Sequence, residues 1–450
     1  MTEDHPGPAA SEEGGVFDHI VLGGGLAGLT LGLNLARAKP REKVLVLEAA
    51  PEVGGLARTT LLDRVVFDFG PHVLRDRDGH TITRLSPQIK FLPFHTSPST
   101  FKHGCYFDHV IPVVTRANID RLPVDVRSRV LEEVAGLPSK ETPGDESSFG
   151  AYVDSRLGRA LSWEFFGQYS RKWWGVDPRE LHVQLAPRGV MVGERASYTT
   201  VATDFSKPTH EYYPEIGGFG AIVKDLRAQV LTLTSSNLTL RTGSAVNALE
   251  MDGDRVRRVL TAGGGAFEVR GSVCSTIPLT RLGSLLGVRV PLRFRAEIGV
   301  FLTARREASK DVPSSWTYYP EDDIAFARLS APGRFSPRNE TEERRGYCAE
   351  ITCQEGDTQW SMRDERIEEQ VIANLRTLGF LAQGADPHTV VRREATAYPC
   401  LDLRFPELRA EVLQQVKRRA SNLHPLGRSG GFQYWNSDAT LALADLALRP

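Results

Sequence analysis

Residues 19–59 read HIVLGGGLAGLTLGLNLARAKPREKVLVLEAAPEVGGLART, and this stretch decides the fold. An apolar strand candidate, Ile20 to Leu22, runs into Gly23-Gly24-Gly25-Leu26-Ala27-Gly28, which fits G-x-G-x-x-G. A helical pattern with Leu29, Leu31, Leu33 and Leu35 follows, then a second strand, Val44 to Leu47, ending in Glu48. This is a βαβ unit for a dinucleotide. Gly23 allows a tight turn out of the strand, Gly25 lets backbone approach a pyrophosphate, and Gly28 lets helix and sheet pack closely. Leu26 and Ala27 complete the turn, and the helix start offers unpaired N–H groups to phosphate. Glu48 stands about 20 residues beyond the last glycine, where a ribose-binding carboxylate belongs.

A second glycine pair lies just past that acid, in Gly54-Gly55-Leu56-Ala57-Arg58-Thr59. It resembles the FAD-binding amine-oxidase and protoporphyrinogen-oxidase superfamily more than an NAD dehydrogenase. FAD is therefore the expected dinucleotide, with Gly55, Leu56, Ala57 and Arg58 among its contacts.

The 450 residues allow two or three domains, and 41% hydrophobic with 25% charged residues is an ordinary globular composition. A formal net charge of -1 gives no general field for nucleic acid or an anionic membrane. Five scattered cysteines without a C-x-x-C pair speak against a disulfide framework or a zinc site and suit a cytoplasmic protein, with no metal expected. Residues 1–15 read as a disordered acidic tail rather than a signal peptide.

Along the chain, Val65 to Phe69 alternates as a strand and stops at Gly70-Pro71-His72, a turn expected to bring His72 to the flavin ring. Short strands are expected over 95–118, then helices over Leu122 to Val134, Phe149 to Leu157 and Ser162 to Trp174. Another glycine turn, Gly217 to Gly220, opens the helix Ala221 to Thr232. Strands follow over Leu238–Arg241, Ala245–Met251, Val256–Thr261 and Phe267–Arg270, and Val246 in the second is expected as a further contact of the FAD that the superfamily resemblance implies. Residues 290–400 read as strands over Ala296–Thr303, Trp316–Tyr319, Ile324–Leu329 and Tyr347–Thr352, with one helix, Glu365 to Leu378. The last segment, Gly427 to Asp438, leads into the helix Ala439 to Leu448.

Several of these motifs converge. The chain resembles UDP-galactopyranose mutases through Asp68-Phe69-Gly70-Pro71-His72, Tyr169-Ser170-Arg171-Lys172-Trp173-Trp174, Tyr318-Tyr319-Pro320-Glu321-Asp322 with Arg328, Ala397-Tyr398-Pro399, and Gly427-Arg428 through Tyr434. The resemblance implies an α/β plus antiparallel-β fold: a discontinuous Rossmann-like FAD-binding domain of the GR2 type, a helical insertion and an antiparallel-sheet substrate domain. The FAD-binding part is expected over 16–94, 208–285 and 401–450, the helical domain over 119–207, and the substrate domain over 95–118 and 286–400.

The activity implied is pyranose/furanose interconversion of a nucleotide sugar without net redox change, N5 of reduced FAD serving as nucleophile at the anomeric carbon. NAD(P)H is the expected reductant. Arg328 and Arg428 would clamp the diphosphate and act catalytically with His72, while Tyr318, Tyr398, Tyr434 and Trp173 complete the substrate site. Gly427, Asn436 and Asp438 would reach FAD from the far side. Two departures bear on the base: Val110-Ile111-Pro112-Val113-Val114-Thr115 stands where the family has aromatics, and Phe335 where a tyrosine is usual. These leave uridine, thymidine or another pyrophosphate-bearing substrate open. The alternative function is an FAD-dependent oxidoreductase of the amine-oxidase or desaturase type.

Overall fold

A computed structural model describes residues 14–76, 85, 88–108, 113–137, 144–186, 191–193, 211–233 and 237–446. The expectations for the tail, for residues 110–112, for the end of the helical insertion and for the last residues of the final helix lie outside them.

The chain opens with β1 (Gly15–Leu22), α1 (Leu26–Ala38) and β2 (Val44–Leu47). A hairpin of β3 (Thr59–Leu62) and β4 (Val65–Asp68) precedes two short strands, β5 (Leu74–Arg75) and β6 (Phe91–Phe94), and a second hairpin, β7 (Ser99–Lys102) with β8 (Cys105–Asp108). After β9 (Val113–Thr115) come α2 (Arg116–Asp120), α3 (Val124–Ala135), α4 (Phe149–Leu157), α5 (Arg159–Ser162), a π-helical turn over Trp163–Gly167, and α6 (Gln168–Trp174). Then follow β10 (Met191–Gly193), β11 (Glu211–Pro214), α7 (Gly220–Leu233), β12 (Leu238–Arg241), β13 (Val246–Asp252), β14 (Arg255–Thr261), β15 (Ala266–Ser275) and α8 (Leu279–Leu286). The next stretch holds β16 (Phe294–Arg305), β17 (Trp316–Tyr318), β18 (Arg328–Ser330), β19 (Arg344–Cys353), α9 (Asp364–Thr377) and β20 (His388–Pro399). The chain closes with α10 (Phe405–Arg419), β21 (Leu423–Pro425), α11 (Gly427–Gly430) and α12 (Ser437–Leu446).

Two seven-stranded sheets organise these elements. The first runs β12-β2-β1-β15-β14-β13, with β21 pairing the far end of β15 on the side that β14 pairs at its start. Its β12, β2, β1, β15 and β21 are parallel, and β14 and β13 turn back antiparallel. All four residues of β2 are buried, because helices cover both faces and the strand therefore has no polar alternation. On one face Val44 and Val46 pack with Leu29 and Leu33 of α1 and with Ile222 and Leu226 of α7. On the other, Leu45 and Leu47 meet Leu279 of α8 and Val412 of α10.

The second sheet runs β20-β16-β19-β18-β17-β7-β8 and is antiparallel except between β17 and β7. Here the sequence reading needs two corrections. Residues 324–327 are not strand, because β18 begins only at Arg328. The twelve residues of β20 were not foreseen: Arg392, Arg393 and Glu394 interrupt the apolar alternation, and the strand lies at the sheet edge, where such residues reach solvent. The helical insertion has its own core of Val130, Phe149, Val153, Leu157, Leu161 and Phe165. Among the described residues no helix is long and apolar enough to cross a membrane, and all five cysteines are free.

Candidate active site

The nucleotide end is built by β1, α1 and β2. Gly23 has φ +100°, and a Cβ on Gly28 would lie 1.8 Å from the Gly23 carbonyl oxygen, so neither position tolerates a side chain without movement. Gly25 caps α1 with no side-chain hydrogen bond, and the first turn, which holds Leu26 and Ala27, contains no acid. Its N–H groups and partial positive charge are thus free for an anion. The Glu48 carboxylate closes on this turn, accepting from Gly24 N at 2.7 Å and Ala50 N at 2.9 Å.

Other segments converge on the same turn. A backbone bridge joins Gly25 to Gly54, and Gly55, Leu56 and Arg58 line a cavity of about 240 Å³ with Phe69 and Glu394. Gly427 comes so near Ala27 that a Cβ there would stand 3.1 Å from the alanine Cβ. Beyond it, Asn436 accepts the Thr440 N–H at 3.0 Å at the start of α12, and Asp438 keeps a buried Oδ1 with no partner. Val246 lies two residues past Ser244, whose N–H donates to the Glu48 carbonyl at 2.8 Å, and its own carbonyl accepts from Arg281 Nη2 at 3.1 Å.

The second sheet supplies the opposite wall. Tyr318, Arg328, Glu350 and Gly299 are register partners in one row across β17, β18, β19 and β16, so they share a face. Arg328 donates from Nε to Glu350 Oε1 at 2.7 Å and from Nη2 to Glu350 Oε2, and Nη2 also reaches the Tyr398 hydroxyl at 3.2 Å. Its guanidinium lies 4.8 Å from the Trp173 ring. Arg428 stands 4.8 Å from both the Tyr398 and Tyr434 rings and donates to the Trp435 carbonyl at 2.9 Å, while its Nε is buried without a partner. Tyr398 and Tyr434 stack at 6.0 Å, and Trp174 meets Tyr434 edge-on. Tyr169 packs against Tyr318 at 4.8 Å.

The turn after β4 bridges the two walls. Gly70 has φ +76°, and a Cβ there would be 2.6 Å from Glu350 Oε2, so the glycine in this motif is needed for both conformation and space. The His72 ring lies 5.1 Å from Phe219. Burial pushes its pKa down to about 4, against the Gly70 carbonyl and with the help of the Arg428 charge, so its imidazole is neutral at neutral pH. Ser437 at the start of α12 donates to the Val73 carbonyl at 3.2 Å, tying the closing motif to this turn.

The family described as flavin containing amine oxidoreductase matches residues 26–406. The chain belongs to the flavin-containing amine oxidoreductase family. No curated protein matches it. Among solved structures it is similar to a reduced UDP-galactopyranose mutase, with TM-score 0.76 and 18% identity over 96% of this chain and 93% of that one. A protein assigned as a protoporphyrinogen oxidase, from Exiguobacterium sp. 255-15, gives TM-score 0.74 and 15% identity over 97% and 100%. A putrescine oxidase variant gives 0.61 and 15% over 96% and 98%. At such identities the likeness shows the fold.

The residues of this family member fit a flavin carried on a dinucleotide. The uncapped start of α1 and the Glu48 carboxylate offer donors and an acceptor around one glycine turn, and α12, which packs on α1, carries the unpartnered Asp438 oxygen.

Sequence reasoning missed Glu350 and Glu297, and left Tyr169 and Trp174 out of the site. A signal was present: each glutamate is a lone acid inside an otherwise apolar run, Ala296-Glu297-Ile298 and Ala349-Glu350-Ile351. Two motif residues have other work in this chain. Lys172 donates to the carbonyls of Tyr319, Glu321, Ile324 and Phe326 at 2.6–2.9 Å and so shapes the loop between β17 and β18. Phe335 is buried and stacks on Phe94 at 5.1 Å beside Tyr213, so its missing hydroxyl faces a core. Arg328 differs from a free clamp, since its Nε–Nη2 edge is committed to Glu350 and Nη1 is the donor left over.

Proposed function

We propose that the protein is an FAD-dependent nucleotide-sugar mutase that interconverts pyranose and furanose rings. The observation that supports this reading most is the convergence of Arg328 and Arg428 on Tyr398, on the face that also carries Tyr318. Two cations against the single charge of Glu350 favour an anionic ligand such as a nucleoside diphosphate.

FAD bound in its reduced form supplies a nucleophile for the anomeric carbon, and NAD(P)H is the proposed reductant. The chain's own part is to hold and orient. The unpartnered Nε of Arg428 and Nη1 of Arg328 take the diphosphate oxygens, whose charge grows as the anomeric bond breaks. Tyr318, Tyr398 and Tyr434 donate phenolic hydrogen bonds, and Trp173 and Trp174 wall the site against water. His72, neutral, offers a hydrogen bond without adding charge.

One observation favours a second reading, an FAD-dependent oxidoreductase acting on an amine or a polyene. Glu350 already neutralises Arg328, and the surrounding aromatics suit an apolar substrate.

The test is turnover of uridine- and thymidine-linked sugars with the flavin reduced and oxidised. The mutase reading expects product only after reduction, with no oxidant consumed. In the Arg428→Ala variant flavin stays bound and nucleoside diphosphate binding weakens by ~1.5–3 kcal/mol. Anaerobic bleaching by a substrate amine or polyene, with peroxide formed in air, would instead establish the oxidoreductase.

A further inference from the structure

Glu297 is the one acid among the eleven fully buried residues from Phe294 to Ala304 on β16. It is 1% exposed, and Glu350 on the neighbouring strand is 0% exposed. The register pairs Glu297 with Thr352 and Gly299 with Glu350, so the two glutamates point to the same face, one diagonal step apart. Among the charged groups, Glu350 acts most strongly on Glu297 and opposes its ionisation. Among the described residues no donor satisfies Glu297 Oε1, which is buried.

Among the described residues none is a counter-ion to Glu297 alone. Glu394 opposes it on β20 and accepts from Thr396. Arg295, on the same face of β16, donates to the Trp173 carbonyl at 3.0 Å. The charges that reach it most are Glu350, repulsive, and Arg328 and Arg428, attractive, with Arg328 already paired to Glu350. The Tyr398 hydroxyl and the thiols of Cys348 and Cys353 also feel it. His72 near the same arginines is neutral at neutral pH. Two carboxylates side by side in a buried site disfavour each other's charge, and Arg328, the cation paired here, is already taken by Glu350. Burial first, and then the Glu350 charge, raise the pKa of Glu297 well above the ordinary range.

We infer that Glu297 is a neutral acid that donates its proton to Glu350, a positioning residue that holds the Glu297–Glu350 carboxyl pair at a single negative charge and keeps the site face positive in excess. Its loss of the proton would place two carboxylates against Arg328 and cancel the excess. The protonation itself stands whatever the substrate is. Its consequence, strong binding of a diphosphate that weakens at alkaline pH, rests on the proposed mutase reading.

The experiment has two arms, both on the flavin-loaded protein. The first is infrared difference spectroscopy between wild type and Glu297→Gln, an isostere that keeps a donor toward Glu350. The carbonyl stretch of a protonated carboxylic acid is expected in the wild type and absent from the variant. If the variant does not fold, the wild type alone decides. Its band must persist above the pH at which Asp68, the other carboxyl held above the ordinary range, ionises, about 7, and must shift in deuterium oxide. Absence of that band overturns the inference.

The second arm titrates uridine diphosphate and thymidine diphosphate against pH. Wild-type affinity is expected to fall ~10-fold as Glu297 ionises, while Glu297→Gln starts within ~3-fold of wild type and stays level. Matching pH profiles for the two proteins overturn the charge-holding role. If neither diphosphate binds the wild type while the infrared band is present, the mutase reading fails and the shared proton stands.

Discussion

Two half-buried groups at the end of β4 and in the turn after it respond to pH with opposite sign. His72 is pushed down to about 4 from 6.5. Between those values the folded chain binds fewer protons there than the unfolded chain. Its contribution is therefore fully present above 6.5 and is lost as the pH falls toward 4. Asp68 is displaced the other way, up to about 7 from 3.8, by burial that outweighs the donors Tyr213 Oη at 2.5 Å and Phe219 N at 2.9 Å. Its contribution is present below 3.8 and is lost as the pH rises through about 7. Each unit of displacement is worth ~1.4 kcal/mol, so urea midpoints measured across this range should resolve both effects. We expect His72→Gln to flatten the acid limb and Asp68→Asn to raise stability at neutral pH. An unchanged profile in either variant would show that the group titrates normally in the folded chain.

At the scale of elements, the site depends on how α6 meets the loop between β17 and β18. The Lys172 ammonium reaches four carbonyls of that loop, and the loop sets the spacing of Tyr318 from Arg328. Lys172→Met should leave these carbonyls without their donor and cost ~3 kcal/mol. Hydrogen exchange should quicken over residues 319–326 while β16 and β19 keep their protection. Equal protection of the loop in variant and wild type would remove Lys172 from this role.

The legibility of the elements followed how locally each was specified. The βαβ unit could be read in full because glycine turns, an apolar helix and two short apolar strands all agree over 19–59. Lys172 could be read as part of a motif but not as a loop anchor, since its partners are about 150 positions away in the chain. β20 escaped because a half-buried edge strand with three consecutive charged residues carries no clear alternation. Glu297 and Glu350 escaped for the related reason that their meaning lies in register, and register between β16 and β19 is invisible in composition.

For the whole molecule the decisive fact is the threading. The chain begins the first sheet with β1 and β2, adds β7 and β8 to the second, returns for β12 to β15, leaves again for β16 to β20, and completes the first with β21. Neither sheet is finished until segments from the other have been crossed. The walls are also keyed together, with Gly70 against Glu350 and Ser437 bonded to Val73. Independent unfolding of either wall would strand part of the other, so one cooperative transition is expected despite the length of the chain. Flavin bound to the folded state alone adds RT ln(1 + [L]/Kd), ~2.7 kcal/mol at a hundredfold excess over Kd, and should move that single transition upward. Near-ultraviolet circular dichroism and the rise of free-flavin fluorescence should then share one midpoint. An earlier release of flavin, with the second sheet still folded at higher temperature, would mean that the keyed contacts are too weak to couple the walls and that the site opens before the protein unfolds.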